Sequence, residues 1–121
     1  MKKILIAEDD AILLSILADS FTQEGFEVIK TKNGEEGLAA ALREQPDLIL
    51  LDIIMPKMDG VTMLKKLRQD KKCLAIPVIL LTNLGYNREV EEAMKYGASD
   101  FLVKANWKIE DVVAKVRERL K

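Results

Sequence analysis

Short runs of apolar residues rich in Ile, Leu and Val recur along the chain at residues 4–7, 26–29, 48–51, 78–81 and 101–103. Their length and branched side chains mark them as strands. The first, third and fourth are apolar at every position instead of alternating, the pattern of central parallel strands covered by helices on both faces. Between the runs the period becomes helical. Leu13, Leu14, Leu17 and Phe21 share one stripe, as do Ile109, Val112, Val113, Val116 and Leu120. Residues 34–44 are rich in Ala, Glu and Leu and stop before Pro46, and residues 60–69 carry Val61, Leu64 and Leu67. Residues 87–96 end at Gly97, which suits the turn that closes a helix.

Strand and helix patterns in strict alternation predict an α/β domain: a doubly wound sheet of five parallel strands with five helices, because right-handed crossovers keep successive strands parallel. Asn33-Gly34 would suit a hairpin, but the segment after it has helical composition, so the pair reads as a strand-to-helix loop. The 121 residues fit one domain, 1–121, with a core large enough to fold without a metal or disulfide staple.

Composition narrows the chemistry. Lys and Arg (19) nearly balance Asp and Glu (20), so no basic footprint marks a direct nucleic-acid partner. No apolar run approaches the roughly 18 residues of a membrane span. The run at 4–7 is cut by Glu8-Asp9-Asp10 before it could serve as a signal peptide, so no membrane insertion and a cytoplasmic location are expected. The single cysteine, Cys73, forms no intrachain disulfide or zinc pair. The chain has no histidine, which excludes histidine triads, histidine–metal sites and a phosphohistidine of its own. Carboxylate, hydroxyl and amine chemistry remain.

In an open parallel sheet, ligands bind outside the carboxyl ends of the strands. Glu8-Asp9-Asp10 follow the first run, Asp52 the third, Thr82 the fourth and Lys104 the fifth. Crowded carboxylates repel one another and raise a pKa unless a cation sits among them, and an all-oxygen set favours a hard ion such as Mg²⁺. Singly, each group has an ordinary use: Asp9 or Asp10 to cap the first helix, Asp52 to form a turn, Thr82 as a strand residue, Lys104 as a solvated charge. Together on one edge they point to a magnesium-dependent phosphate site.

The segments Ile6-Ala7-Glu8-Asp9-Asp10, Leu51-Asp52-Ile53-Ile54-Met55-Pro56-Lys57-Met58-Asp59-Gly60, Leu81-Thr82 and Val103-Lys104 closely resemble the receiver domain of two-component response regulators, across essentially the whole chain. The resemblance implies the flavodoxin-like strand order 2-1-3-4-5. It implies a phosphorylation-activated switch, not an enzyme acting on other substrates, in which Asp52 accepts a phosphoryl group from the phosphohistidine of a sensor histidine kinase or phosphotransfer protein. By the same resemblance Asp9 and Asp52 bind Mg²⁺ directly, Glu8 acts through a bound water, and the backbone carbonyl of Ile54 completes the protein ligands. Thr82 and Lys104 meet the phosphoryl oxygens. Three carboxylates against Mg²⁺ and Lys104 make a neutral site. Phe101 falls where the family has a switch aromatic, although a plain core or edge role suits it as well. A downstream target protein is expected on the face of the fourth helix, fifth strand and fifth helix. Trp107 suits either that face or packing at the start of the last helix, and Met55, Met58 and Met63 read as loop and core filler.

Receivers usually carry a cis proline after the strand-five lysine, where this chain has Ala105. A cis bond before a non-proline costs about 2.5–4 kcal/mol, so the Lys104–Ala105 bond is expected to be trans and the loop to differ or be strained. The apolar Ile54 and Leu84, two residues beyond Asp52 and Thr82, offer no hydrogen bond to a hydrolytic water and predict slow loss of the phosphoryl group. The alternative reading is a small Mg²⁺-dependent phosphatase on a related sheet, but the Asp-x-Asp of one such family is broken by Ile54. A flavodoxin-like cofactor carrier would need a Ser/Thr- and Gly-rich loop where Glu8-Asp9-Asp10 stand, and no Gly-x-Gly-x-x-Gly or P-loop occurs.

Overall fold

The computed structural model describes residues 1–83 and 85–121. Along them run β1 (Lys3–Ala7), α1 (Ala11–Gln23), β2 (Glu27–Thr31), α2 (Gly34–Glu44), β3 (Leu48–Asp52), α3 (Gly60–Leu67), β4 (Val78–Thr82), α4 (Arg88–Lys95), β5 (Asp100–Val103) and α5 (Ile109–Arg119). All strand pairs are parallel, in the order β2-β1-β3-β4-β5. The three fully apolar runs are thus the three central strands, and every residue of β3 and β4 is buried. β2 and β5 form the half-covered edges.

Alternate strand residues feed two separate cores. Leu5, Ile49, Leu51, Val78 and Leu80 pack with Ala40, Val61, Met63, Leu64, Leu67, Val90 and Ala93 from α2, α3 and α4. On the opposite face, Ile4, Ile6, Leu48, Leu50, Ile79 and Leu81 pack with Leu17, Phe21, Val112 and Val116 from α1 and α5. Each fully buried aliphatic or aromatic side chain contributes roughly 1.5–3 kcal/mol, so the central strands are the stable floor of the site.

Most helices start where a short polar side chain accepts the first free N–H groups. Asp10 Oδ1 accepts from Ile12 and Leu13, Asn33 from Glu36, Asp59 from Thr62 and Asn87 from Val90. Asn33-Gly34 therefore opens a helix, as its context implied. Gly97 follows α4 at φ +84°, the left-handed conformation that its position required.

Boundaries differ where polar residues extend an element. β2 covers 27–31 rather than 26–29, because Lys30 and Thr31 keep register with Ile6 and Ala7 and the Thr31 hydroxyl donates to the Ile6 carbonyl at 2.9 Å. α3 ends at Leu67 because Arg68 turns away, its guanidinium donating to the carbonyls of Cys73 (2.6 Å), Ile76 (2.9 Å) and Tyr96 (2.9 Å). A 3-10 turn at Lys71–Cys73, capped by Asp70, was not expected; it is too short to leave a periodic signal.

Candidate functional site: an acidic pocket at the carboxyl edge of the sheet

Register brings the chemistry-bearing residues level. Ala7 pairs with Leu51, Asp52 with Leu81 and Thr82 with Val103, so the chain leaves β1, β3, β4 and β5 at one edge. Glu8 is fully buried and Asp52 is 3% exposed, while Asp9 is exposed at the rim. One carboxylate oxygen from each of the three lies within 4.8 Å of the others. Lys104 reaches over them, its Nζ 2.8 Å from Glu8 Oε1 and 3.3 Å from Asp52 Oδ1. Glu8 Oε2 also accepts from the Asp10 N–H at 3.1 Å. The contact between Glu8 Oε1 and the ammonium is close in distance but poorly directed as a hydrogen bond, so it is chiefly electrostatic.

The charges are strongly perturbed. Burial, then the negative Glu8, then the contact with Asp9 push the Asp52 carboxyl from 3.8 up to about 8, against the pull of Lys104. Burial works against the Lys104 charge, but Glu8 and Asp52 outweigh it and hold the ammonium above its ordinary range. Three carboxylates thus meet one amine. This surplus of negative charge, with all-oxygen donors converging from separate strands, fits a hard divalent cation. Glu8, Asp9 and Asp52 form a cluster that could hold such an ion.

The choice between Asp9 and Asp10 is resolved in space. Asp10 caps α1, which leaves Asp9 for the cluster. Thr82 is buried at the end of β4, and its carbonyl accepts from the Lys104 N–H at 2.7 Å. The Lys104–Ala105 bond is trans, and Asn106 N–H donates to the Val103 carbonyl at 2.9 Å, so a regular turn without a positive φ delivers Lys104. Ile54 stands two residues after Asp52 in the loop to α3 and is 66% exposed. Leu84, its partner in the expectation of slow hydrolysis, lies outside the described residues.

Phe101 is half-buried against the core of α2, α3 and α4, and its ring lies 6.0 Å from that of the exposed Tyr86. Trp107 packs with the α1 and α5 core. Met63 and Met55 are buried and Met58 is packed beside them, as filler. Two residues that shape the site escaped sequence reasoning. A Cβ on Gly60 would stand 2.2 Å from the Asp52 carbonyl oxygen, and one on Gly34 would stand 2.0 Å from that of Met58. Asn33-Gly34 was visible as a strand-to-helix loop and Gly60 as part of the receiver-like segment, but the backbone each touches is not encoded in a side-chain pattern.

A five-stranded parallel sheet in the order 2-1-3-4-5, with an acidic cluster and a lysine at its carboxyl edge, defines a flavodoxin-like α/β domain with a pocket compatible with a cation. The family model described as "Response regulator receiver domain" matches residues 4–117, and the chain belongs to that family. It is 36% identical over 121 residues to the "DNA-binding dual master transcriptional regulator RpaA" of Synechocystis, matching all of this chain and 50% of that protein. The chain thus spans about half the length of that relative. Among solved structures, the signal receiver domain of a signal transduction histidine kinase from Syntrophus aciditrophicus superposes with a TM-score of 0.88 at 32% identity, covering 99% of this chain and 90% of that one. A receiver domain protein described as CheY-like, from Methanospirillum hungatei, gives 0.91 at 28% identity, covering 99% and 94%.

Proposed function

We propose that the chain, over 1–121, is a phosphorylation-activated switch of a two-component system, with Asp52 as its phosphoacceptor. One observation carries this reading: in a member of the receiver family, a buried carboxylate ends a central strand, faces a lysine ammonium at 3.3 Å and shares its pocket with two further carboxylates. The donor is the phosphohistidine of a sensor histidine kinase or phosphotransfer protein, which agrees with the absence of histidine from this chain.

An ionised Asp52 oxygen attacks phosphorus, the P–N bond breaks, and its electron pair returns to the donor imidazole. The carboxyl proton that burial and the neighbouring Glu8 retain on Asp52 must leave first. Glu8, Asp9, Asp52 and the Ile54 carbonyl would hold Mg²⁺, Glu8 through water; the ion supplies positive charge for the phosphoryl oxygens. Lys104 adds a fixed ammonium, and Thr82 donates its hydroxyl to the transferred group. Thr82 and Phe101 then relay the change to a target protein on the α4, β5 and α5 face, where the exposed Tyr86 lies beside Phe101. The chain turns over no other substrate, and the phosphatase alternative is not favoured. Among the described residues no helix is long and apolar enough to cross a membrane, and we assign a cytoplasmic location with a protein, not a nucleic acid, as direct partner.

Labelling by a small phosphodonor such as acetyl phosphate tests the roles. Labelling should require Mg²⁺, and Asp9→Ala should slow it by about a hundredfold or more, since positioning and charge neutralisation supply most of the rate. Wild-type rates in excess chelator would remove the metal from the account.

A further inference from the structure

The loop from Asp52 to α3 is wedged between two glycines. At its far end, Gly60 N–H donates to the Ile53 carbonyl at 2.8 Å, and its missing side chain admits the Asp52 carbonyl. On its flank, Gly34, the first residue of α2, presses on Met58. A Cβ there would stand 2.0 Å from the Met58 carbonyl oxygen and 2.7 Å from its carbonyl carbon. Between these contacts, Lys57 has a φ of +67° and Met58 N–H donates to the Pro56 carbonyl at 2.7 Å. This is a tight three-residue turn that a lysine adopts only under strain. Such strain persists where the surroundings hold it.

α2 is poorly able to retreat. Its start is fixed by the buried Asn33 cap, by Glu36 accepting from the Lys32 N–H at 3.3 Å, and by Ala40 and Ala41 in the core. A side chain at 34 therefore displaces the loop, not the helix.

We propose that Gly34 is a positioning residue for the phosphoacceptor site: by letting α2 close on Met58, it holds residues 53–59, which carry the Ile54 carbonyl, in the strained shape that the cation pocket requires. This rests on the reading of Asp52 and its neighbours as that site. Gly37, one turn along the same helix, is the control, because a Cβ there would meet the end of the buried Met63 side chain (Sδ at 2.8 Å) and the Ala7 Cβ (3.3 Å) but no backbone of the loop after Asp52.

The test compares wild type, Gly34→Ala and Gly37→Ala well below their melting temperatures, by calorimetric titration with MgCl₂ and by amide chemical shifts. Gly34→Ala should weaken Mg²⁺ binding about tenfold and shift the amides of 53–59 before metal is added, whereas Gly37→Ala should stay within about twofold of wild type. Wild-type affinity and loop shifts in folded Gly34→Ala, or equal weakening in both variants, would overturn the proposal. Should Gly34→Ala not fold, the wild type decides: adding MgCl₂ should shift the Gly34 and Met58 amides and spare Gly37, since coupling is reciprocal. Unmoved Gly34 and Met58 amides would overturn it. A wild type that binds no Mg²⁺ would bring down the phosphoacceptor reading as well.

Discussion

Asp52, the proposed phosphoacceptor, carries an electrostatic cost. Its carboxyl is buried beside Glu8, and raising its pKa from 3.8 to about 8 means that the folded chain holds this proton more tightly than the unfolded chain does. The stabilising contribution is therefore complete below 3.8 and is lost as pH rises through about 8. Asp52→Asn removes the repulsion and keeps the shape. In chelator at neutral pH the variant should be more stable than wild type, by about 1–3 kcal/mol, and should lack the part of the decline between those two pH values that belongs to Asp52. Denaturant melts at a series of pH values check this. A wild type as stable as Asp52→Asn throughout would mean that the cluster is not strained by charge. The same burial explains why Lys104 belongs to the site, since Glu8 is fully buried and the ammonium is its close counter-charge.

At the scale of elements, caps and register decide where each functional group falls. Asn33 is buried and opens α2 beside the loop that follows Asp52, whereas Asp10 caps α1 in solvent. Replacing either by Ala should cost roughly 1 kcal/mol, the Asn33 variant more because its site excludes water; thermal melts rank the two. β4 and β5 couple through Thr82 and Lys104, joined by a 2.7 Å backbone hydrogen bond. Phosphorylation should therefore change amide exchange between residues 82 and 104, and exchange unchanged there would remove the switch. Much of this was legible beforehand. Fully apolar runs marked β1, β3 and β4 as central, and Gly34–Glu44 emerged with the bounds its composition suggested. Edge strand β2 starts one residue later and ends two residues later than its apolar run, because a strand paired on one side includes polar residues that carry no apolar signal. The Arg68 bonds and the turn at Lys57 were not legible, since each depends on carbonyl positions that no side-chain pattern encodes.

Across the whole molecule, two cores clamp a sheet whose carboxyl edge is open, and the chain order β2-β1-β3-β4-β5 gathers Glu8, Asp9, Asp52, Thr82 and Lys104 there from four strands. That these residues share one edge was readable from sequence because strand ends can be counted and the topology sets which ends are neighbours. The near-balance of charge on the chain conceals a concentrated negative pocket, and this asymmetry is what the proposed cation binding and phosphoryl transfer would use. The central claim is that Asp52 takes a phosphoryl group in a Mg²⁺-dependent reaction. Intact mass after incubation with acetyl phosphate and MgCl₂ tests it most directly. The account requires one added phosphoryl group on the wild type, none in excess chelator and none on Asp52→Asn. An unmodified wild type, or an Asp52→Asn protein labelled to the same extent at the same rate, would contradict it.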